Sequence, residues 1–141
     1  FVVYSTHAWA AGPGNNLQGR HHMTLEQYAH DLIGTDSDER MFAARVLRTR
    51  VREAWRQADG PFDQLRTIEA RQSLSTYDFL VAPKCIRQLS VVNVRRACIE
   101  ILGMLQTQAA LPALQAAHES ATGRKEKRII QTAISRIREA Q

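Results

Sequence analysis

The chain has 141 residues, enough for one domain with a single hydrophobic core. Hydrophobic residues make up 44% of it and charged residues 23%, which fits a folded chain and argues against a wholly disordered one. Two cysteines, Cys85 and Cys98, are too few for a disulfide scaffold or a four-cysteine zinc site, and no stretch supplies the roughly 18 apolar residues of a membrane span.

The formal net charge of +5 is placed unevenly. Residues 1–70 hold 8 basic and 9 acidic side chains, whereas residues 71–141 hold 11 basic and 5 acidic ones. The second half therefore predicts a basic surface for an anionic partner, such as an acidic protein face, a nucleic acid or a membrane surface. The alternative is a set of solvated helix surfaces, since arginine is a good helix former.

Residues 1–22 differ from the rest of the chain. Phe1–Tyr4 is a short apolar run, Ala8-Trp9-Ala10 has the small-x-small pattern of a signal-peptidase site, and residues 11–16 have loop composition. We expect a non-repeat leader, linker or tag remnant, and a cytoplasmic protein. A periplasmic or secreted protein is the alternative if residues 1–10 end a signal peptide. The pair His21-His22 lacks a spaced third ligand, so no metal site is predicted.

From residue 23 onward the pattern is helical. Thr24 followed three residues later by Gln27 is a capping-box signature, and Gly34 is expected to end this first helix. Asp36 opens a second helix, because acidic residues follow it where the helix dipole favours them.

The end of the second helix is marked by Asp59-Gly60-Pro61. A third helix is predicted from Phe62 to about Leu74, and no alternating strand pattern follows residue 22. The sequence therefore predicts an all-α domain over residues 23–141.

A comparison of the chain with itself finds a recurring longer helix. Residues 94–105 and 126–137 both carry basic side chains at their second and third positions and a small residue, Gly103 or Ser135, at the tenth. Residues 39–47 follow the same inward pattern. The predicted inward positions are Val94, Ala97, Cys98, Ile101, Leu102 and Leu105 in the first segment, matched by Glu126, Ile129, Ile130, Ala133, Ile134 and Ile137 in the second.

A shorter helix recurs as well. Residues 81–89 match residues 110–118 with Pro83 and Pro112 superposed. Proline is tolerated best in the first turn of a helix, because the N–H that it lacks has no partner within the helix there. Two alternating helix types with a period near 30 residues are typical of a helical-repeat array.

The chain resembles the HEAT-repeat family in its short bacterial form, also called phycobilisome-lyase-like repeats. The resemblance rests on residues 92–118, through Val94-Arg95-Arg96-Ala97, Ile101-Leu102-Gly103-Met104-Leu105 and Ala110-Leu111-Pro112-Ala113-Leu114. It implies an α-solenoid of stacked antiparallel helix hairpins, with roughly three to four irregular repeats. Residues 59–80 depart from the pattern, which indicates an inserted segment after a longer first helix.

The resemblance also implies where a partner binds, since the second helices of HEAT-like arrays tend to line the concave face. Arg95 and Arg96 are expected to bridge to carboxylates or carbonyls of adjacent repeats, with partner binding as the alternative. The candidate partner-binding residues on the concave face are Lys84, Arg87, Gln88, Gln115 and His118.

A second candidate site lies at the start of the last helix, where the helix dipole is also positive. Because no aromatic residue follows Phe79, a nucleic acid bound by the second half would be held through its phosphates and not through stacked bases. The candidate anion-binding residues are Arg124, Lys125, Lys127 and Arg128.

Catalytic motifs are not found: the sequence has no P-loop, dinucleotide fingerprint, HExxH or Gly-x-Ser-x-Gly elbow. Cys85 and Cys98 fall on inward positions and are expected to act as small hydrophobic residues, with a disulfide between consecutive helices as the alternative. We therefore expect no cofactor and a non-catalytic scaffold that binds another protein. If the basic surface makes the contact, we expect that partner protein to be acidic. A nucleic-acid-binding module is the alternative, and an enzyme is a third, less favoured class.

Overall fold

A computed structural model describes residues 23–141, and all regular structure in this part of the chain is helical, as predicted. The leader predicted for residues 1–22, with its signal-peptide alternative and His21-His22, lies outside the described residues. The helices are α1 Leu25–Leu32, α2 Ser37–Gln57, α3 Leu65–Leu80, α4 Ala82–Arg87, α5 Val92–Leu105, a 3₁₀ turn Gln108–Ala110, α6 Leu111–Ser120 and α7 Arg124–Glu139.

The first two helices begin at the predicted caps. The hydroxyl of Thr24 accepts a hydrogen bond from the Gln27 N–H at 3.2 Å, and the Gln27 side chain accepts one from the Thr24 N–H at 2.9 Å. A carboxylate oxygen of Asp36 accepts the N–H of Glu39 at 2.9 Å. These bonds satisfy backbone donors that have no partner within the helix, so both starts are fixed by the local sequence.

The third helix was predicted too short and too early. α3 begins at Leu65 and continues to Leu80, because no glycine or proline interrupts this stretch and its second half packs against the core through Leu74, Tyr77 and Leu80. Only Thr67 and Ala70 of α3 are buried. α3 therefore has fewer buried residues than α2, α5 or α7.

Three helices, α2, α5 and α7, lie side by side and are called the long-helix layer below. Asn93 near the start of α5 donates to Ser37 at the start of α2 at 2.8 Å. Arg95 pairs with Glu126 near the start of α7 at 3.0 Å. Since helix starts adjoin helix starts, the three helices of this layer run parallel.

The shorter helices α1, α4 and α6 each pack against the long helix that follows them. The apolar residues between the two sets form one core, and Leu105 and Ile129 are half-buried at its edge. Inward positions predicted from the sequence and found buried are Val94, Ala97, Cys98, Ile101, Leu102, Ile130, Ala133, Ile134 and Ile137.

Candidate binding cleft between the long helices

The residues predicted to line a concave face lie on α4 and α6 or at their ends. Arg87 and Gln115 are exposed, and Lys84 and His118 are half-buried. Gln88 is buried, and its side-chain amide donates to the Leu32 carbonyl oxygen at 2.9 Å. Gln88 therefore joins the ends of α4 and α1, and its donor is used within the fold.

The predicted anion-binding cluster occupies the first turns of α7. Arg124, Lys125, Lys127 and Arg128 are all exposed, and among the described residues none of them forms an ion pair. Glu126, which lies between them, is held by Arg95. The cluster is thus a solvated group of four cations at a helix start.

Arg95 contacts both kinds of partner that the sequence predicts for it, a carbonyl and a carboxylate. Its guanidinium donates to the carbonyl of Leu89 at 2.7 Å and to the carboxylate of Glu126 at 3.0 Å. One side chain therefore ties the end of α4 to the starts of α5 and α7. Arg96 also binds a carboxylate, Glu100, at 3.3 Å, but within its own helix.

A cleft with a volume of about 340 Å³ opens across the long-helix layer, and sequence reasoning did not single it out. All three long helices contribute to its walls. We call it the arginine cleft; its lining residues are Arg52, Trp55, Arg56, Glu100, Gly103, Met104, Ile129, Thr132, Ala133 and Arg136.

Glu100 on α5 lies at the centre of the arginines. Arg48 and Arg52 of α2 approach one of its carboxylate oxygens at 3.5 and 3.4 Å, and Arg96 approaches the other at 3.3 Å. One carboxylate thus faces three guanidinium groups, so the cluster keeps a net positive charge. Pairs of this kind between partly buried side chains add about 1 kcal/mol or less. Their larger consequence is the positive potential that they leave at the surface.

Trp55 forms the aromatic wall of the cleft. It is 36% exposed. Its helical spacing from the buried residues Val51 and Ala54 would instead predict an inward position. The guanidinium carbon of Arg136 lies 4.8 Å from the centroid of the Trp55 ring. This cation–π contact fixes the Arg136 side chain against α2 and leaves a half-covered aromatic surface at the cleft.

The floor of the cleft is apolar because α5 and α7 approach closely there. A Cβ on Gly103 would lie 2.9 Å from the Cα of Ala133, a distance at which one backbone would have to move. Met104 and Ile129 extend this floor. The cleft therefore combines a narrow apolar base with a rim of arginines.

The arginine cleft faces away from the short helices. Cys98 of α5 is buried and interacts with Cys85 of α4, whereas Glu100 lines the cleft. Two residues on a helix that are two positions apart point about 200° apart. The cleft and the predicted face on α4 and α6 are consequently on opposite sides of the long-helix layer.

Cys85 and Cys98 are both buried and both free, so the disulfide alternative is not realised. The hydrogen bond with Cys98, together with burial, raises the pKa of the Cys85 thiol well above its ordinary value. A buried protonated thiol is a poor nucleophile, so this pair acts as part of the core.

No protein-family model, curated protein or solved structure matches this chain. Within residues 23–141, no group of three or more His, Cys, Asp or Glu side chains could hold a metal ion. None of the helices in the same range has the length and apolar character needed to cross a membrane.

A local signal for the cleft exists on α2 alone. Arg48, Arg52 and Arg56 recur every four residues and therefore share one side of that helix. Their convergence with Arg136 depends on how α2, α5 and α7 pack against one another. The spacing of residues within one helix does not predict that packing.

Proposed function

We propose that the protein is a non-catalytic helical-repeat scaffold of the HEAT type that binds a partner protein. The observation that carries this proposal is the parallel long-helix layer, with a shorter helix packed on each of its members. In such an array each hairpin buries its apolar side on its neighbours and leaves broad helix faces for binding.

The hydrogen bonds between neighbouring helices support a division into three short–long pairs, α1–α2, α4–α5 and α6–α7. Leu32 and Gln88 are 56 residues apart in sequence, and so are Ser37 and Asn93. The corresponding contact between the second and third pairs joins residues that are 31 apart. The larger separation accommodates α3, which we interpret as the insertion expected from the departure at residues 59–80.

A nucleic-acid-binding module is the second candidate, and the exposed cluster at the start of α7 favours it. Four exposed cations there, without an ion pair to any described residue, provide the kind of surface that attracts a phosphate backbone. A protein partner remains the better supported proposal, because the arginine cleft combines three lining arginines with a small apolar floor, a combination suited to a protein surface.

Photo-crosslinking in the cells that make the protein tests this proposal. Benzoylphenylalanine replaces Thr132 in the arginine cleft in one variant and Gln115 on α6 in another; both side chains are exposed. We expect a discrete protein adduct from one position and not from the other. Adducts that nuclease removes would favour the second candidate, and the absence of any adduct from either face would contradict both.

A further inference from the structure

We propose that the arginine cleft binds an acidic segment of a partner protein, with an apolar side chain on the cleft floor and carboxylates on either side paired with the arginines. This inference rests on the proposed scaffold function. It adds the face that binds the partner, the chemistry of the bound segment and the residues that anchor it. It places the site on the long helices and not on α4 and α6.

The charge of the cleft calls for an anion. Of the described residues that line it, Arg52, Arg56 and Arg136 are basic and Glu100 alone is acidic. Arg56 is exposed, and among the described residues it has no ion-pair partner. The fold already holds these guanidinium groups close together. Binding of partner carboxylates therefore does not include the free-energy cost of bringing the groups together.

Glu100 is an internal example of the ligand chemistry. Its two carboxylate oxygens are divided between arginines from two helices, with Arg48 and Arg52 at one and Arg96 at the other. Guanidinium groups match carboxylates through paired, planar hydrogen bonds. Each of these arginines approaches Glu100 through a single nitrogen, so its guanidinium keeps donors for a further carboxylate.

The floor favours a peptide over a nucleic acid. Gly103, Met104 and Ala133 are buried beneath the base of the cleft, and the half-buried Ile129 adds the more accessible part of a small apolar floor between the charged walls. A phosphate backbone has no apolar group to place there, whereas a leucine or methionine between two acidic residues does. The exposed surface of Trp55 adds an aromatic anchor of the type that dominates binding energy at protein interfaces.

The test is fluorescence anisotropy with the full chain and three labelled probes. The first is a short peptide that repeats Glu-Leu-Glu, the second carries Gln in place of Glu, and the third is a random DNA duplex. We expect the acidic peptide to bind and the neutral peptide not to bind. Tighter binding of the duplex than of the acidic peptide at the same salt concentration would overturn the proposal.

Matched charge reversals locate the site. Arg56→Glu reverses a cleft charge and Arg87→Glu reverses an exposed charge on α4, so both change the net charge equally. We expect Arg56→Glu to weaken acidic-peptide binding about tenfold or more and Arg87→Glu to leave it within about twofold. Equal weakening by the two variants would show nonspecific attraction and overturn the assigned site.

Two further variants keep the result interpretable if a charge reversal disturbs folding. Trp55→Ala is expected to weaken binding about fivefold, whereas Glu100→Gln, which removes the competing carboxylate, is expected to strengthen it. A variant that merely unfolds cannot bind more tightly. If no acidic peptide binds although protein adducts form at Thr132 or Gln115, this inference is wrong and the scaffold function stands.

Discussion

Gly103 on α5 and Ala133 on α7 are in backbone contact: a Cβ added to Gly103 would lie 2.9 Å from the Cα and 3.0 Å from the Cβ of Ala133. Both residues are buried. A small residue at each position allows the two helices to approach closely and forms the floor of the arginine cleft. One contact thus sets the packing of the long-helix layer and the shape of its surface.

Gly103→Val is therefore expected to destabilise the protein by about 2 kcal/mol, because the added carbons have no space without separating α5 from α7. Urea unfolding followed by circular dichroism measures the loss. Gly123→Ala is the control, since a Cβ at Gly123 meets nothing within 4 Å, and its effect is expected to stay within about 1 kcal/mol. Equal losses in the two variants would contradict the close approach.

Gln88→Leu is expected to cost about 1–2 kcal/mol of stability. The substitution removes the hydrogen bond to Leu32 and leaves that carbonyl without its side-chain donor in a buried position. Gln115→Leu is the matched change at an exposed site on α6 and is expected to stay within about 0.5 kcal/mol. If both variants unfold at the wild-type urea concentration, Gln88 does not join α4 to α1.

The helical class, the starts of the first two helices and most inward positions follow from the sequence, because they depend on spacing and capping within about one turn. Thr24, Asp36 and Ile101 are examples. Gln88 illustrates the limit: a polar residue at a helix end looks exposed, and its partner Leu32 lies 56 residues away. Trp55 follows the inward spacing, yet it lies at the cleft because α7 covers only one side of it.

Glu100→Gln is expected to destabilise the fold by about 1 kcal/mol, since it leaves Arg48, Arg52 and Arg96 close together without the carboxylate between them. The loss should shrink at high salt, where the repulsion between the arginines is screened. Urea unfolding at low and high salt measures it. Glu139→Gln, at an exposed position near the end of α7, is the control. A salt-independent loss would indicate a packing defect instead of repulsion.

The stability of the protein is expected to fall with rising pH above about 8.5, where the thiol of an unfolded cysteine titrates. Because its bond with Cys98 and its burial raise the pKa of Cys85 in the folded protein, the unfolded chain releases this proton first. Between the two pKa values each pH unit therefore removes up to about 1.4 kcal/mol, and below the unfolded value the contribution is complete.

Urea unfolding with a reductant at about pH 7.5 and about pH 9.5 measures this loss. Cys85→Ser is the control, because serine does not titrate in this range and the variant keeps the other ionisable groups of the chain. The wild-type protein is expected to lose about 1 kcal/mol more than Cys85→Ser between the two pH values. The same pH dependence in both proteins would mean that Cys85 is not held as a buried, hydrogen-bonded thiol.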